Sequence, residues 1–526
     1  MKHTKKILAL LLSLCMLAAF LPMISLAADG EAYAVYNGTA GTLTFCVGEL
    51  EADGVHRAAG GDPVSGNEYY TGFLTETYSM TSSGGTTAPW NDIRGNVTAV
   101  TFLDTVAPVS TALWFRGFSK LTAVQGADRL NTSNVKSMAS MFDFCPSLTS
   151  LNVGSWNTGS VTRMSSMFSG CYSLTSLDIG SWSTGSVTDM NRMFEGCYSL
   201  TSLDLSSWNT GSVTDMQSMF YSCNSLTSLN VGSWNTGSVT TMASMFNGCS
   251  SLTSLDVGSW STGSVTDMQY MFNGCSSLTS LNVSSWDTGS VTDMQYMFNG
   301  CSSLTSLDVG SWSTGSVTDM QYMFNGCSSL TSLNVSSWNT GSVTDMSNMF
   351  SPSLSSLTLG ENFSFVSGTN CALPDVPNDS VHTGKWSNQT VGLTKTSQEL
   401  MADYNGATMA GTWVWQPRRI DISGATVSPI ADQSYTGEAL TPAVTVTLNG
   451  TELQKDRDYT VDYQNNTAPG TATVIITGIH DYKGQAFGSF EIVGAPKPGL
   501  NFFQKIVQFF KNLFAKIKAF FEGLKK

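Results

Sequence analysis

Cysteine and aspartate recur along this chain at a spacing that could build a metal or redox ladder. Cys145, Cys171, Cys197, Cys223, Cys249, Cys275, Cys301 and Cys327 stand 26 residues apart. That interval is not the close pairing of a zinc site. If the period closes one turn of a stack, neighbouring thiols lie about 4.8 Å apart, the spacing of adjacent strands. Two readings fit. Some neighbours could form disulfides, since Cα separations of ~4.4–6.8 Å permit them; the favoured reading is a row of buried free thiols acting as small hydrophobes. Asp189, Asp215, Asp267, Asp293, Asp319 and Asp345 keep the same register. They could bind calcium, but their period is not that of the glycine-rich nonapeptide calcium repeat. Capping a short helical turn is the simpler role, because a carboxylate is favoured at a helix N-terminus. No metal and no cofactor are expected.

Two further rows bear on binding. Trp recurs from Trp156 to Trp338 with the same step, at the corner after each apolar run, and is expected in the core rather than as a sugar platform. Tyr270, Tyr296 and Tyr322 lie beside Met residues, each preceded by Gln269, Gln295 or Gln321. They are expected to point outward as a recognition stripe, since Tyr is enriched at interfaces. Recent duplication of one unit explains the row equally well. For catalysis the material is thin. His56, His382 and His480 fall in three separate segments and in no catalytic motif. Cys371 and His382 share a loop region without the rest of a thiol protease, so no enzyme is expected.

The elements that position these rows follow from the repeat itself. A fixed period of 20–50 residues signals a stacked architecture. In the copy at 278–303, Leu278, Leu281 and Val283 give a short strand with inward-facing Leu281 and Val283. Gly289 sits in a turn. Met294, Met297 and Phe298 have the i, i+3, i+4 spacing of a short helix with one buried side, and Gly300 ends it. No such coil can bury its apolar face alone, but stacked coils share one core.

The unit LTSLNVSSWDTGSVTDMQYMFNGCSS closely resembles the repeats of BspA-type leucine-rich repeat bacterial surface proteins. The likeness continues at Ala32–Tyr36 and Gly41–Phe45, at Leu130–Val135 before the first repeat, and at Leu400–Tyr404 and Met409–Trp415. It covers roughly residues 30–416. The resemblance implies an α/β leucine-rich-repeat solenoid of strand-plus-short-helix coils, acting outside the cell in adhesion. Its implied partners are a host matrix protein or the surface of another cell; a cell-surface glycan is a further expected partner.

The expected organisation is a signal peptide at 1–27, a β-rich cap at 28–120, about nine repeats at 121–360 and a closing cap at 361–416. The leader reads from Lys2, Lys5 and Lys6, an apolar run and the small-x-small site Ser25–Ala27. Thr396 and Glu399 have capping-box spacing. Residues 420–493 carry short β-rich runs between Gly, Asn and Pro turns, the pattern of a small all-β sandwich. The run 458–478 resembles bacterial immunoglobulin-like modules, which usually serve as spacers. A stiff linker is expected at 494–499 and a basic amphipathic helix at 500–526. At about 100° per residue, Phe502, Ile506, Phe509, Phe510, Leu513, Phe514, Ile517, Phe520, Phe521 and Leu524 share one side of that helix. Lysines flank it, which suits an anionic membrane surface; docking onto another part of this chain or onto a partner, and an inert tail, are the other readings. The last residues hold no Leu-Pro-x-Thr-Gly sorting motif, and the tail is expected to substitute for it.

Composition agrees with an exterior role. The chain has 526 residues, a net charge of −14 and only 12% charged residues, about half the usual ~25%. A pI near 4.6 argues against nucleic acid, whose phosphates need a basic footprint. The expected function is a secreted, cell-surface adhesion or interaction protein, with a glycan-binding module and a membrane-active factor as alternatives.

Overall fold

The computed structural model describes residues 31–48, 56–57, 63–64, 66, 68–78, 87–368, 370–494 and 502–523. The expected signal peptide and most of the expected linker lie outside them. The described residues form a strand-rich protein with few helices, divided into two compact units. One comprises the residues up to Val376 together with Gly384–Trp415; the other comprises Pro377–Thr383 and the residues from Gln416 onward.

The first unit is built on repetition. Ala32–Asn37 pairs antiparallel with Thr42–Val47, which pairs parallel with Ala99–Phe102. Ala99–Phe102 in turn pairs parallel with Ala123–Gln125. From there short strands pair in parallel register with their equivalents 26 residues on, as Ser150–Leu151 with Ser176–Leu177, Ser202–Asp204 with Ser228–Asn230, and Ser280–Leu281 with Ser306–Leu307 do; the last such pair joins Ser332–Val335 to Ser356–Leu359 at a step of 24. A second parallel ladder runs through Ser137, Arg163, Asp189, Asp215, Thr241, Asp267, Asp293, Asp319 and Asp345. Ser356–Leu359 pairs antiparallel with Gly411–Pro417, in a five-stranded sheet that closes the series. Next to it, Ser397–Asp403 is helical, and its start carries the capping box of Thr396 and Glu399.

The short helix expected in each coil is not formed. Met294, Met297 and Phe298 are buried as their spacing requires, but on a chain of tight turns. Alternate amides serve two directions. Met294, Tyr296, Phe298 and Gly300 donate to carbonyls of the next coil, at Asp319, Gln321, Met323 and Asn325. Between them, Met297, Asn299 and Cys301 donate back three residues, to Met294, Tyr296 and Phe298. The i, i+3, i+4 pattern therefore reports a buried side, not helical hydrogen bonding. The stacked neighbour supplies acceptors that an α-helix would have to find four residues back. The Asp row does not cap helices either. Asp293 Oδ1 accepts the amide of Gln295 at 3.0 Å, and Asp267 and Asp319 do the same for Gln269 and Gln321. Each is an Asx turn, in which the carboxylate substitutes for a backbone acceptor.

One hydrophobic core runs from Ala32 to Trp413. The Trp row is buried, with parallel rings 6.1–6.5 Å apart. Each indole N–H in the repeats donates to a carbonyl 29 residues earlier, as Trp260 does to Val231 at 3.0 Å. The repeat cysteines, Cys145 to Cys327, are buried thiols without a disulfide, and Cys301 Sγ donates to the Phe272 carbonyl at 3.2 Å. A buried threonine row, which the sequence pattern did not single out, adds a bond per coil; Thr262 Oγ1 donates to the Asp287 carbonyl at 2.8 Å.

The second unit has its own core of Ile422, Val446, Leu453, Tyr459, Val474, Ile476, Phe490 and others. A four-stranded sheet, ordered Gln433–Ser434, Gln485–Val493, Gly470–Gly478 and Tyr459–Gln464, is accompanied by a three-stranded one at Thr426–Val427, Val446–Leu448 and Thr451–Leu453. Phe502–Gly523 is a single helix. No described helix is long and apolar enough to cross a membrane.

Candidate functional site

Stacking in register turns a sequence row into a continuous surface. Tyr270, Tyr296 and Tyr322 come together: their rings stack at 4.7 and 4.6 Å, within 9° of parallel. They are half-buried, not freely projecting as expected. Each ring is covered by its stacked neighbour, and the backbone beneath them is unusual. All three have φ of 56–57°, in the left-handed region. The same conformation recurs at Ser166, Ser218, Ser244 and Asn348, so it belongs to the coil and not to tyrosine. The glutamines join the row. Gln295 Nε2 donates to Gln269 Oε1, and Gln321 Nε2 to Gln295 Oε1, both at 3.2 Å. Each glutamine also donates to the aspartate of its own coil, at 2.9–3.0 Å. Asn299 and Asn273 extend the amide ladder at 2.7 and 2.9 Å. Burial raises the Asp293 carboxyl above its ordinary range; the Gln295 hydrogen bonds pull it down, while Asp267 and Asp319 push it further up.

A second face was missed from sequence. Along the strand edge, Asp256, Asn282, Asp308 and Asn334 line an open groove of about 840 Å³ with Ser254, Ser280, Ser306 and Ser332. The signal was present, since these residues keep the 26-residue step and alternate with buried Leu255, Leu281, Leu307 and Leu333. Alternation in a strand presents the intervening residues outward in a row, which gives a ligand regularly spaced amides, carboxylates and hydroxyls.

The helix residues form a third candidate surface within the other unit. Phe502, Phe509, Phe510, Leu513, Phe514 and Ile517 are exposed, and Ile506 is half-buried. The side chains of Phe520 and Phe521, and all of Leu524, lie outside the described residues. Among the described residues no cluster of three or more His, Cys, Asp or Glu could hold a metal ion.

The repeats also place this chain beside a known family. Residues 112–228, 200–281 and 275–359 match the family model described as Mycoplasma protein of unknown function, DUF285. The likeness is confined to the repeat stack, and it is to a bacterial repeat family whose function is not known. A comparison with curated proteins found no match.

Proposed function

We propose that this chain is a secreted bacterial surface protein that binds a macromolecular ligand through its repeats and catalyses no reaction. In this reading the stack is a leucine-rich-repeat solenoid of the BspA type, and its partner is a protein of the host matrix or of another cell. The stacked Tyr270–Tyr296–Tyr322 row carries the proposal. A non-glycine residue in the left-handed region costs roughly 1–2 kcal/mol, and other coils fill this position with serine, arginine or asparagine. The fold does not need an aromatic there. An aromatic ladder flanked by amides suits a protein interface, where tyrosine joins apolar area to a polar tip. Weak contacts repeated along a rigid face add by avidity.

The test is a binding screen of the leaderless full chain against immobilised matrix glycoproteins and mucins. Saturable binding that is lost when Tyr270, Tyr296 and Tyr322 all become Ser supports the assignment. Binding that survives those changes but is lost in Asn282→Ala/Asp308→Ala moves the surface to the strand-edge groove. No binding to any member of the panel removes the support for adhesion.

The immunoglobulin-like reading of 420–493 makes that module a spacer. A second attachment, to an anionic membrane surface through Phe502–Gly523, is favoured by one observation. Phenylalanines such as Phe502 and Phe514 are 75% and 67% exposed, and a run of exposed rings on one helix is the kind of apolar patch that marks an interaction surface.

A further inference from the structure

The early coils depart from the later ones along one strip of surface. The position held by Asn247, Asn273, Asn299 and Asn325 is filled earlier by Asp143, Ser169, Glu195 and Tyr221. The position held by Ser250, Ser276, Ser302 and Ser328 is filled by Tyr172 and Tyr198. These departures meet in a groove of about 270 Å³. Tyr172 and Tyr198 stack at 4.9 Å along one side and are 36% and 46% exposed. Phe144 at 49% and Tyr221 at 36% add two more exposed rings. Gly170 and Gly196 leave the floor open; a Cβ at Gly170 would meet the Phe144 ring at 3.2 Å.

The lining also carries charge, but it is balanced. Arg116 Nε donates to Asp143 Oδ2 at 2.9 Å, and Arg192 lies 3.6 Å from Glu195. Burial lifts both carboxyls above their ordinary range, while the neighbouring guanidinium groups pull them back down. An anion entering here meets two acids, and a cation meets two arginines. A neutral ligand rich in hydroxyls meets donors and acceptors side by side, since each guanidinium carries five N–H groups and each carboxylate several acceptor sites. Tyr172 and Tyr198 cover each other's inner faces, so the surface left for the C–H groups of a sugar ring is the edges and outer faces of that pair together with the Phe144 ring. The volume is below the ~300–1,000 Å³ of drug-sized pockets and suits a short stretch of pyranose rings.

We infer that this groove is a binding subsite for a neutral saccharide, with sugar rings against Tyr172, Tyr198 and Phe144 and hydroxyls directed to the Arg192–Glu195 and Arg116–Asp143 pairs. It shares no residue with the Tyr270–Tyr322 face, so either assignment can fail without the other.

The experiment is calorimetric titration and saturation-transfer NMR of the full chain with cellohexaose, maltohexaose, mannohexaose and chitohexaose. A heparin hexasaccharide and a hexalysine peptide serve as charged controls. The variants are Tyr172→Ser/Tyr198→Ser and Arg192→Ser/Glu195→Asn. Each introduces the residue another coil already carries at that position, which keeps the fold intact. The expected result is saturable binding of at least one neutral hexaose, weakened about tenfold or more in either variant, as for removal of a hot-spot contact. Tyr270→Ser/Tyr296→Ser/Tyr322→Ser leaves it unchanged. Absence of binding by all four neutral hexaoses at millimolar concentration overturns the proposal. So does binding indifferent to both groove variants, or binding of the charged controls alone.

Discussion

At the scale of single residues, the coil backbone dictates more than the side chains do. The left-handed position tolerates Ser, Arg, Tyr and Asn alike, so Tyr270→Ser/Tyr296→Ser/Tyr322→Ser removes two ring stacks without adding strain. Aromatic pairs contribute ~0.5–1.5 kcal/mol each. Thermal unfolding of this variant is expected to move by a few degrees at most. A collapse of the transition would mean that the row is structural. The buried thiols behave differently from surface ones. Burial pushes Cys197, Cys249 and Cys327 up to about 12, and the thiolate is the reactive form. Aromatic disulfide reagents at pH 8 should therefore leave the native protein unlabelled. In denaturant they should titrate the ten free cysteines of the described residues. Fast labelling of the native chain would contradict the burial. Asp293 supplies a pH signature. Its carboxyl is raised in the fold, so the native state binds a proton more readily than the unfolded chain, and the charged form works against folding at neutral pH. Asp293→Asn should stabilise the protein at pH 7. That gain should shrink as pH falls through the raised value toward the ordinary carboxylate range, which chemical denaturation at several pH values would show.

At the scale of elements, the stacked coils owe their order to rows of buried hydrogen bonds as much as to apolar rows. Thr262→Val keeps the shape and removes the donor to the Asp287 carbonyl. An unsatisfied buried acceptor costs about 1–3 kcal/mol. Hydrogen exchange should report that loss in the coils around 255–290 and leave the 470–478 strand unaffected. The helix Phe502–Gly523 yields its own prediction. Full-length protein should sediment with anionic vesicles at low salt, and Phe509→Ser/Phe514→Ser should release it; equal sedimentation of both would remove the membrane reading. The coils also mark the limits of what the sequence disclosed. The inward rows of Leu, Trp, Met, Phe and Cys were legible because a period of 26 with fixed offsets leaves one side for the core. Turn and helix were not separable, since Met294, Met297 and Phe298 sit at offsets that both satisfy. The difference resides in acceptors one coil away. The strand-edge row was visible but ambiguous, because Ser, Asn and Asp mark solvent as readily as a site. The early groove was encoded in departures from the repeat at Tyr172, Tyr198, Arg192 and Glu195, which attention to the regular rows passes over.

At the scale of the molecule, the two units have separate apolar cores and should melt as two calorimetric transitions; one merged transition insensitive to denaturant would argue against independence. The hydrogen-bond ladders of the first unit carry a mechanical consequence. Bonds such as Tyr296 N–H to Gln321 and Phe298 N–H to Met323 join coil to coil, so they point along the stack, as ladder bonds point from strand to strand. A tensile load applied at opposite ends pulls each bond along its own length, and the junctions bear that load in series. They should then yield one after another at modest force, each releasing 26 residues, or about 90 Å of slack at full extension. A force–extension trace with that regular step, in place of one brittle rupture, would make the stack a reel of chain that holds on while it lengthens.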